Sequence, residues 1–171
     1  RSDLLVDAAC FARQLELAQA SGCQILADYV RALIDGANLK SLVRTLRLKK
    51  DAAFLRELLL PGGTVSPERI VQHGFSSSAA ELFAGSALAQ AAQAAEAAAA
   101  GGSLTELERL CDNAALNVIG RARRVPFGVE VPVGYVAARE NELMSVRLVI
   151  TGLLAGIPAD QIRERLRETN G

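Results

Sequence analysis

The amino-acid sequence predicts an all-α protein, and three observations carry that prediction. Half of the 171 residues are hydrophobic and only 4% are aromatic, so the apolar mass consists of Ala, Leu, Val and Ile. Ala and Leu are the strongest apolar helix formers. Apolar residues recur at helical spacing along most of the chain. Glycine, proline and serine stand where one helical pattern ends and another begins.

The first part of the chain predicts a series of helices separated by clear breaks. Ser2 is a plausible N-cap for the first helix, which Ser21 and Gly22 end. A second helix is predicted over about residues 23–50 and a short one over about residues 54–60. The firmest break follows, in the Leu-Pro-Gly-Gly run at residues 60–63. The apolar residues of the first helix share one face: Leu4, Ala8, Phe11, Leu15 and Ala18.

Beyond that break, serine residues predict several helix starts. Ser66 is a candidate N-cap with proline at the first helical position, and the three serines at residues 76–78 open a segment that runs to Phe83. Residues 86–100 are rich in alanine, interrupted by Gln90, Gln93 and Glu96, with high helix propensity and little side-chain volume. Packing against a neighbour and fraying on the surface are both compatible with that composition. Ser103 and Glu106 predict a capping box for a helix over about residues 104–124.

Two more helices are predicted at the end of the chain. Residues 125–132 contain two prolines and one glycine, which predicts an extended crossing loop. A helix over about residues 133–155 would be roughly 35 Å long at 1.5 Å per residue, and Gly156 ends it. Pro158 is predicted as the first-turn proline of a final helix through Arg167, with Ile162 and Leu166 facing inward.

Composition and charge exclude several classes of function. Lys plus Arg equals Asp plus Glu at 19 each, which gives no support for nucleic-acid binding. Cys10, Cys23 and Cys111 are widely spaced and His73 is the single histidine, so we expect reduced thiols and no metal site. We expect no cofactor, no signal peptide and no membrane-spanning segment. The start without methionine suggests a fragment of a longer chain.

An internal repeat relates two stretches of the sequence. A shift of 103 positions brings Asn38 onto Asn141 and Arg44 onto Arg147, and a glycine break followed by a helix start near a proline comes after each stretch. The repeat predicts two pseudo-symmetric helical bundles, residues 1–85 and residues 86–171. Chance matching of two amphipathic helices is the alternative.

The same stretches carry a resemblance to a known family. Residues 38–44 (Asn-Leu-Lys-Ser-Leu-Val-Arg) with the break at residues 58–63 resemble the middle part of the C subunit of V-type ATPases, called d in eukaryotes. Residues 135–143, continuing through Arg147 and Gly156 to Leu166, resemble the C-terminal signature of that family. The chain is only about half the usual length of that family, and the alanine-rich segment is not part of its pattern.

The resemblance implies a non-catalytic coupling part of a rotary ATPase or ATP synthase. Members of the family form a funnel-shaped, pseudo-symmetric helical body on the cytoplasmic side, peripheral to the membrane. Such a component would sit on the membrane proteolipid ring, receive the D and F subunits of the central stalk, and transmit torque for ion transport, with no small-molecule substrate of its own.

Polar residues within these helices are the candidate contact sites. Glu140 and Arg147 lie seven apart on one apolar stripe, where they form a partner-facing or inter-helix polar contact or reach solvent at its edge. The Asn-x5-Arg pairs are six apart, about 120° around a helix, so each member contacts a different neighbour, either within the bundle or on the ring or stalk. The candidates for interface or inter-helix contacts are Asn38, Arg44, Arg121, Arg123, Arg124, Glu140, Asn141, Glu142 and Arg147.

Two other classes of function compete with the coupling role. A helical adaptor or regulatory binding module of another system would share the amphipathic helices and the zero net charge. A helical enzyme would need a site with convergent polar groups, and the sequence nominates none: no phosphate-binding loop follows Gly62 and Gly63, and no nucleophile elbow surrounds the serines at residues 76–78.

Overall fold

Helices form all the regular structure in residues 2–166, the part of the chain that the computed structural model describes. The all-α prediction is therefore confirmed. The helices are α1 (Ser2–Ala20), α2 (Gln24–Arg47), α3 (Ala52–Leu58), α4 (Pro67–His73), α5 (Ala79–Phe83), α6 (Ala89–Ala99), α7 (Leu104–Gly120), α8 (Glu130–Leu154) and α9 (Ala159–Arg165). A 3-10 turn, Arg121–Arg124, follows α7.

Serine N-caps begin several helices at the positions that the sequence predicts. The Ser66 hydroxyl accepts a hydrogen bond from the Arg69 backbone N–H, and α4 begins at Pro67. The Ser103 hydroxyl accepts from the Glu106 N–H in the same way. Ser78 and Glu81 form a full capping box at the start of α5, which satisfies backbone groups that a five-residue helix would otherwise leave open.

Several boundaries differ from the sequence prediction. Helix α2 ends at Arg47 instead of about residue 50, and α3 covers Ala52–Leu58 instead of about residues 54–60. The crossing loop predicted through Pro132 is shorter, because α8 already begins at Glu130. Pro132 is the third residue of that helix, where a backbone N–H would have no intrahelical acceptor, so its absence costs nothing. The predicted helix over 104–124 is α-helical only to Gly120 and ends in the 3-10 turn. Pro158 is the N-cap of α9, not its first residue, and α9 ends at Arg165 with Leu166 in extended conformation, before the predicted end at Arg167. Arg167 itself lies outside the described residues.

The larger of two hydrophobic cores is built around α2, α6 and α7. It includes Phe83 and Leu39, both fully buried. The alanine-rich helix α6 lies in this core with one full side inward, so the packed alternative for that segment is correct and the frayed one is not. Its inward residues are Ala91, Ala92, Ala95 and Ala98. Alanine side chains let α6 approach its neighbours closely, which compensates for their small volume.

The smaller core joins α1 to the first half of α2. The predicted apolar face of α1 lies here, with Ala18 buried and Phe11 and Leu15 half-buried against Ile34 and Leu60. The larger core draws residues from both sides of position 85. The division into units 1–85 and 86–171, and their pseudo-symmetry, stay predictions.

Asp35 on α2 holds the glycine turn that follows α3. Its carboxylate accepts hydrogen bonds from the backbone N–H groups of Thr64 at 3.1 Å and Val65 at 3.2 Å. Burial raises the pKa of Asp35, while these two N–H donors lower it. Because Asp35 is fully buried, the turn and the helix are held together by hydrogen bonds from which water is excluded.

Replacing Gly63 with Ala is expected to lower the free energy of unfolding by about 1–3 kcal/mol, the usual range for overpacking. The new Cβ would overlap Oδ1 of Asp35 and lie 3.2 Å from Cγ2 of Ile34. Asp35 cannot withdraw without giving up its bonds to Thr64 and Val65. Urea titration followed by circular dichroism measures the change. Gly85→Ala is the matched control, because nothing lies within 4 Å of its added Cβ; equal losses in the two variants would contradict the prediction.

Candidate interaction surface

Helix α8 packs against the rest of the molecule along one narrow side, which consists of small residues. Gly134, Asn141 and Gly152 are its buried positions; the second and third lie 7 and 18 residues beyond the first, which places all three on one face of a helix. A Cβ on Gly134 would lie 3.0 Å from Cβ of Ala122 in the 3-10 turn, and one on Gly152 would lie 2.8 Å from Ile162 of α9. Close approach at these two glycines positions the whole helix.

The opposite side of α8 is apolar and exposed. Leu143 is 68% exposed and Leu154 is 83% exposed, although both are side chains that favour burial. More than half of the large exposed hydrophobic side chains in the described residues belong to this one helix. We define the α8 face as Val131, Tyr135, Val136, Leu143, Met144, Val146, Ile150, Leu153 and Leu154. A surface this rich in exposed apolar side chains is typical of a binding site for another molecule.

Charged residues interrupt the α8 face in two ways. Arg139 pairs with Glu142 within the helix, and its guanidinium lies 5.5 Å from the ring centre of Tyr135. Glu140 and Arg147 are both exposed, and neither forms an ion pair with another residue of the described range. The predicted partner-facing pair therefore lies on the surface, on the same stripe as Val136 and Leu143.

An apolar groove of about 350 Å³ runs beside the α8 face, between α2, α7 and α8. Its walls include Leu26, Ile119 and Val136, and its polar groups come from Tyr29, Glu140 and Asn141. Burial raises the pKa of Tyr29, and the carboxylates of Glu140 and Asp112 raise it further. The phenol therefore stays protonated at neutral pH and can donate a hydrogen bond.

A cluster of three arginines, Arg121, Arg123 and Arg124, lies in the 3-10 turn beside α8. Their contacts differ. Arg121 donates to the carboxylate of Asp28 on α2 at 3.3 Å and to the carbonyl of Val118 at 3.2 Å, so it ties two helices together. Arg123 and Arg124 are exposed. Arg121 is itself half exposed, with 51% of its side chain accessible, so all three arginines reach the surface.

A second basic cluster, at the end of α2, consists of Arg44, Arg47, Lys49 and Lys50. One of its members makes a contact within the molecule. Arg47 donates to the carbonyl of Gly102 at 2.7 Å, across a sequence separation of 55 residues. Arg44 is exposed, as are Lys49 and Lys50. The predicted Arg44 site therefore lies on the surface, away from the buried Asn38 on the same helix.

Asn38 makes a two-way contact inside the molecule. Its amide donates to the carbonyl of Leu60 at 2.9 Å and accepts from the Leu60 N–H at 2.8 Å. Asn141, its counterpart in the repeat, is buried on α8 and lines the groove. The structure thus places the two asparagines in the interior and the two arginines of the repeat, Arg44 and Arg147, at the surface.

Little in the described residues suggests a metal site or reactive chemistry. No three His, Cys, Asp or Glu side chains between residues 2 and 166 are placed to hold a metal ion. Cys23 and Cys111 are buried and Cys10 is exposed, and burial raises the pKa of Cys111 to about 12. No helix in that same range is long and apolar enough to cross a membrane.

Sequence reasoning missed the groove and the full extent of the α8 face. It identified Glu140 and Arg147 on an apolar stripe but not the side on which α8 is attached. The spacing of Gly134, Asn141 and Gly152 is the signal that reveals the attached side, since two glycines five turns apart mark a line of close helix contact.

Comparison with known proteins links the chain to a family. The family model described as "ATP synthase (C/AC39) subunit" matches residues 2–165. The C subunit of the A-type ATP synthase of Thermococcus onnurineus is 27% identical over 145 residues, which is 82% of this chain and 38% of that protein. The protein of the same name from Desulfurococcus is 26% identical over the same shares. No solved structure matches the chain. The chain spans 38% of the length of these relatives.

Proposed function

Since the chain belongs to the ATP synthase (C/AC39) subunit family, we propose that it acts in a rotary ATPase as a non-catalytic coupling element. In this role it links the central stalk to the membrane proteolipid ring and transmits torque between ATP chemistry and ion transport. The observation that carries the proposal is the family match over residues 2–165. The relatives bear the name of one component of ATP synthase, and we propose no catalytic activity for this chain.

The surface chemistry supports a chain that works in contact with partners. The α8 face is too apolar to remain in water without a cost, because each exposed large side chain loses on the order of 1.5–3 kcal/mol relative to burial. Arg123 and Arg124 are exposed beside it. We propose that these arginines contact acidic residues of the D and F subunits of the stalk on the cytoplasmic side of the membrane.

Co-expression of the full-length protein with its D and F subunits tests this function. We expect the three proteins to co-elute from a size-exclusion column at a fixed stoichiometry. Replacing Arg123 and Arg124 together with Glu is expected to weaken the complex about tenfold or more, because two charge contacts become repulsive. Arg121 is left unchanged, since it already pairs with Asp28.

A matched double reversal separates a specific contact from a general charge effect. Arg56→Glu with Arg69→Glu changes the net charge equally and alters two exposed residues of α3 and α4. This control is expected to bind D and F normally. Separation of the unaltered proteins at micromolar concentration would instead favour a helical adaptor of another system, and equal losses in both double variants would reject the arginine contact.

A further inference from the structure

The groove between α2, α7 and α8 is an apolar site with a single charged side chain. Its walls include Leu26 of α2, Ile119 of α7 and Met144 of α8. Of the described residues that line it, Glu140 alone carries a charge at neutral pH, and none is basic. An apolar concave site on which a few polar groups converge is the usual form of a small-molecule site.

The phenol of Tyr29 has a fixed position in this groove. Tyr29 is half-buried and packs against both hydrophobic cores. Burial raises the pKa of Tyr29, and the carboxylates of Glu140 and Asp112 raise it further, so both carboxylates make the potential at the phenol negative. A cation beside Tyr29 would be attracted by these carboxylates, and its N–H could donate a hydrogen bond to the phenol oxygen.

The size of the groove favours a small molecule over a helix of another protein. Its wall on α8 runs from Pro132 to Met144, about 18 Å at 1.5 Å per residue. A helix of that length and about 10 Å across would occupy roughly 1,400 Å³, about four times the groove's volume of about 350 Å³. The groove has room for about a dozen water-sized groups, which is the size of a short apolar chain with one polar head.

The charge of the groove decides between classes of small molecule. A carboxylate or a phosphate would be repelled by Glu140, and the described lining residues include no basic side chain to offset that repulsion. A neutral alcohol could form a hydrogen bond with Tyr29 but would gain little from the charge of Glu140. An ammonium group gains both interactions.

We propose that this groove binds a small amphipathic cation, a primary amine with an alkyl or aryl tail of about eight carbons. The tail lies among the apolar side chains of α7 and α8, and the ammonium lies between Glu140 and Tyr29. The inference rests on the groove and does not depend on the proposed rotary function.

Three molecules with the same tail test the class of ligand. Octylamine has an ammonium that, like that of lysine, is charged at neutral pH; octan-1-ol is neutral and octanoate is an anion. Isothermal titration calorimetry of the chain at about 20 mM ionic strength keeps the screening weak. Octylamine is expected to bind with a dissociation constant of about 10 µM to 1 mM, about fivefold tighter than octan-1-ol and about tenfold or more tighter than octanoate.

Neutralising Glu140 tests the charge contact. Glu140→Gln is expected to weaken octylamine about fivefold and to leave octan-1-ol within about twofold of its original dissociation constant. Glu142→Gln is the matched control, because Glu142 lies two residues further along α8, on the opposite side of the helix, and pairs with Arg139. The control is expected to bind octylamine as the unaltered chain does. Tyr29→Phe keeps the ring, removes the hydroxyl and is expected to weaken octylamine about threefold to tenfold.

Filling the groove tests the position of the tail. Ala137 lines the groove, so the larger side chain of Ala137→Leu is expected to weaken octylamine and octan-1-ol alike, by about tenfold. Ala9→Leu is the control, since Ala9 is exposed on α1 and does not line the groove. Circular dichroism checks that each variant keeps its helices.

Three results would overturn the proposal. The first is no saturable binding of octylamine up to about 2 mM. The second is octan-1-ol or octanoate binding as tightly as octylamine, which would indicate a purely apolar seat, such as one for a side chain of a partner protein. The third is an equal effect of Glu140→Gln and Glu142→Gln, or unchanged octylamine binding in Ala137→Leu, which would place the amine elsewhere on the molecule.

Discussion

Replacing Phe83 with Ala is expected to lower the free energy of unfolding by about 3–5 kcal/mol, the range for removing a buried phenylalanine from a core. Phe83 is fully buried at the end of α5 and has the largest side chain among the fully buried residues. It belongs to the core that α6 supplies with alanines. The alanine side chains around it are too short to move into the cavity, so relaxation would recover only part of the lost contacts.

Phe127 offers a matched control for this substitution. Its side chain is 84% exposed, so Phe127→Ala is expected to change stability by less than about 0.5 kcal/mol. Urea titrations of both variants measure the difference, with the slope of the transition checked to confirm that unfolding remains two-state. A loss below about 1.5 kcal/mol for Phe83→Ala would show that α5 is not integral to the core.

Replacing Asn38 with Ala is expected to lower the free energy of unfolding by about 2–4 kcal/mol, because it leaves two buried backbone groups without their partner. The amide of Asn38 satisfies both the N–H and the carbonyl of Leu60. Leu60 is buried and precedes the glycine turn, so water cannot replace the lost contacts without opening the packing between α2 and that turn.

An exposed asparagine in another helix provides the comparison. Asn117→Ala on α7 is expected to leave stability unchanged or to raise it slightly, because alanine has the higher helix propensity and the Asn117 side chain is exposed. Thermal and urea unfolding of the two variants measure the contrast. Equal effects at Asn38 and Asn117 would mean that the amide contact with Leu60 contributes nothing to the fold.

Helix starts were predictable because the interactions that make them are local. Ser66 with Pro67, and Ser103 with Glu106, act within three residues of one another. The apolar face of α1 was equally predictable, because its spacing follows the turn of the helix. The start of α8 was missed because a proline in a first turn carries the same local signal as a proline in a loop.

The candidate surface was predictable only in part. Glu140 and Arg147 were identified from their seven-residue spacing on an apolar stripe, and the structure places both at the surface. The same kind of reasoning placed Asn38 and Arg44 on separate faces but could not name Leu60 as the partner of Asn38, since the two are 22 residues apart. Buried Asp35 was not recognised, because nothing in the sequence around it predicts the turn that it holds.

Periodicity and capping were enough to predict an all-α chain and the order of its helices, because each depends on residues a few positions apart. The family resemblance rests instead on the motifs at residues 38–44, 58–63 and 135–166. Tertiary packing decided which sides of those helices are covered. Helix α8 has apolar residues all around, so its periodicity favours neither side, and the close approach at Gly134 and Gly152 leaves its large residues outward. The sequence of alanine-rich α6 was equally ambiguous about which side is buried, and its packing against α2 and α7 decided it. Burial depends on which surfaces come together, and that information is shared among segments distant in the chain.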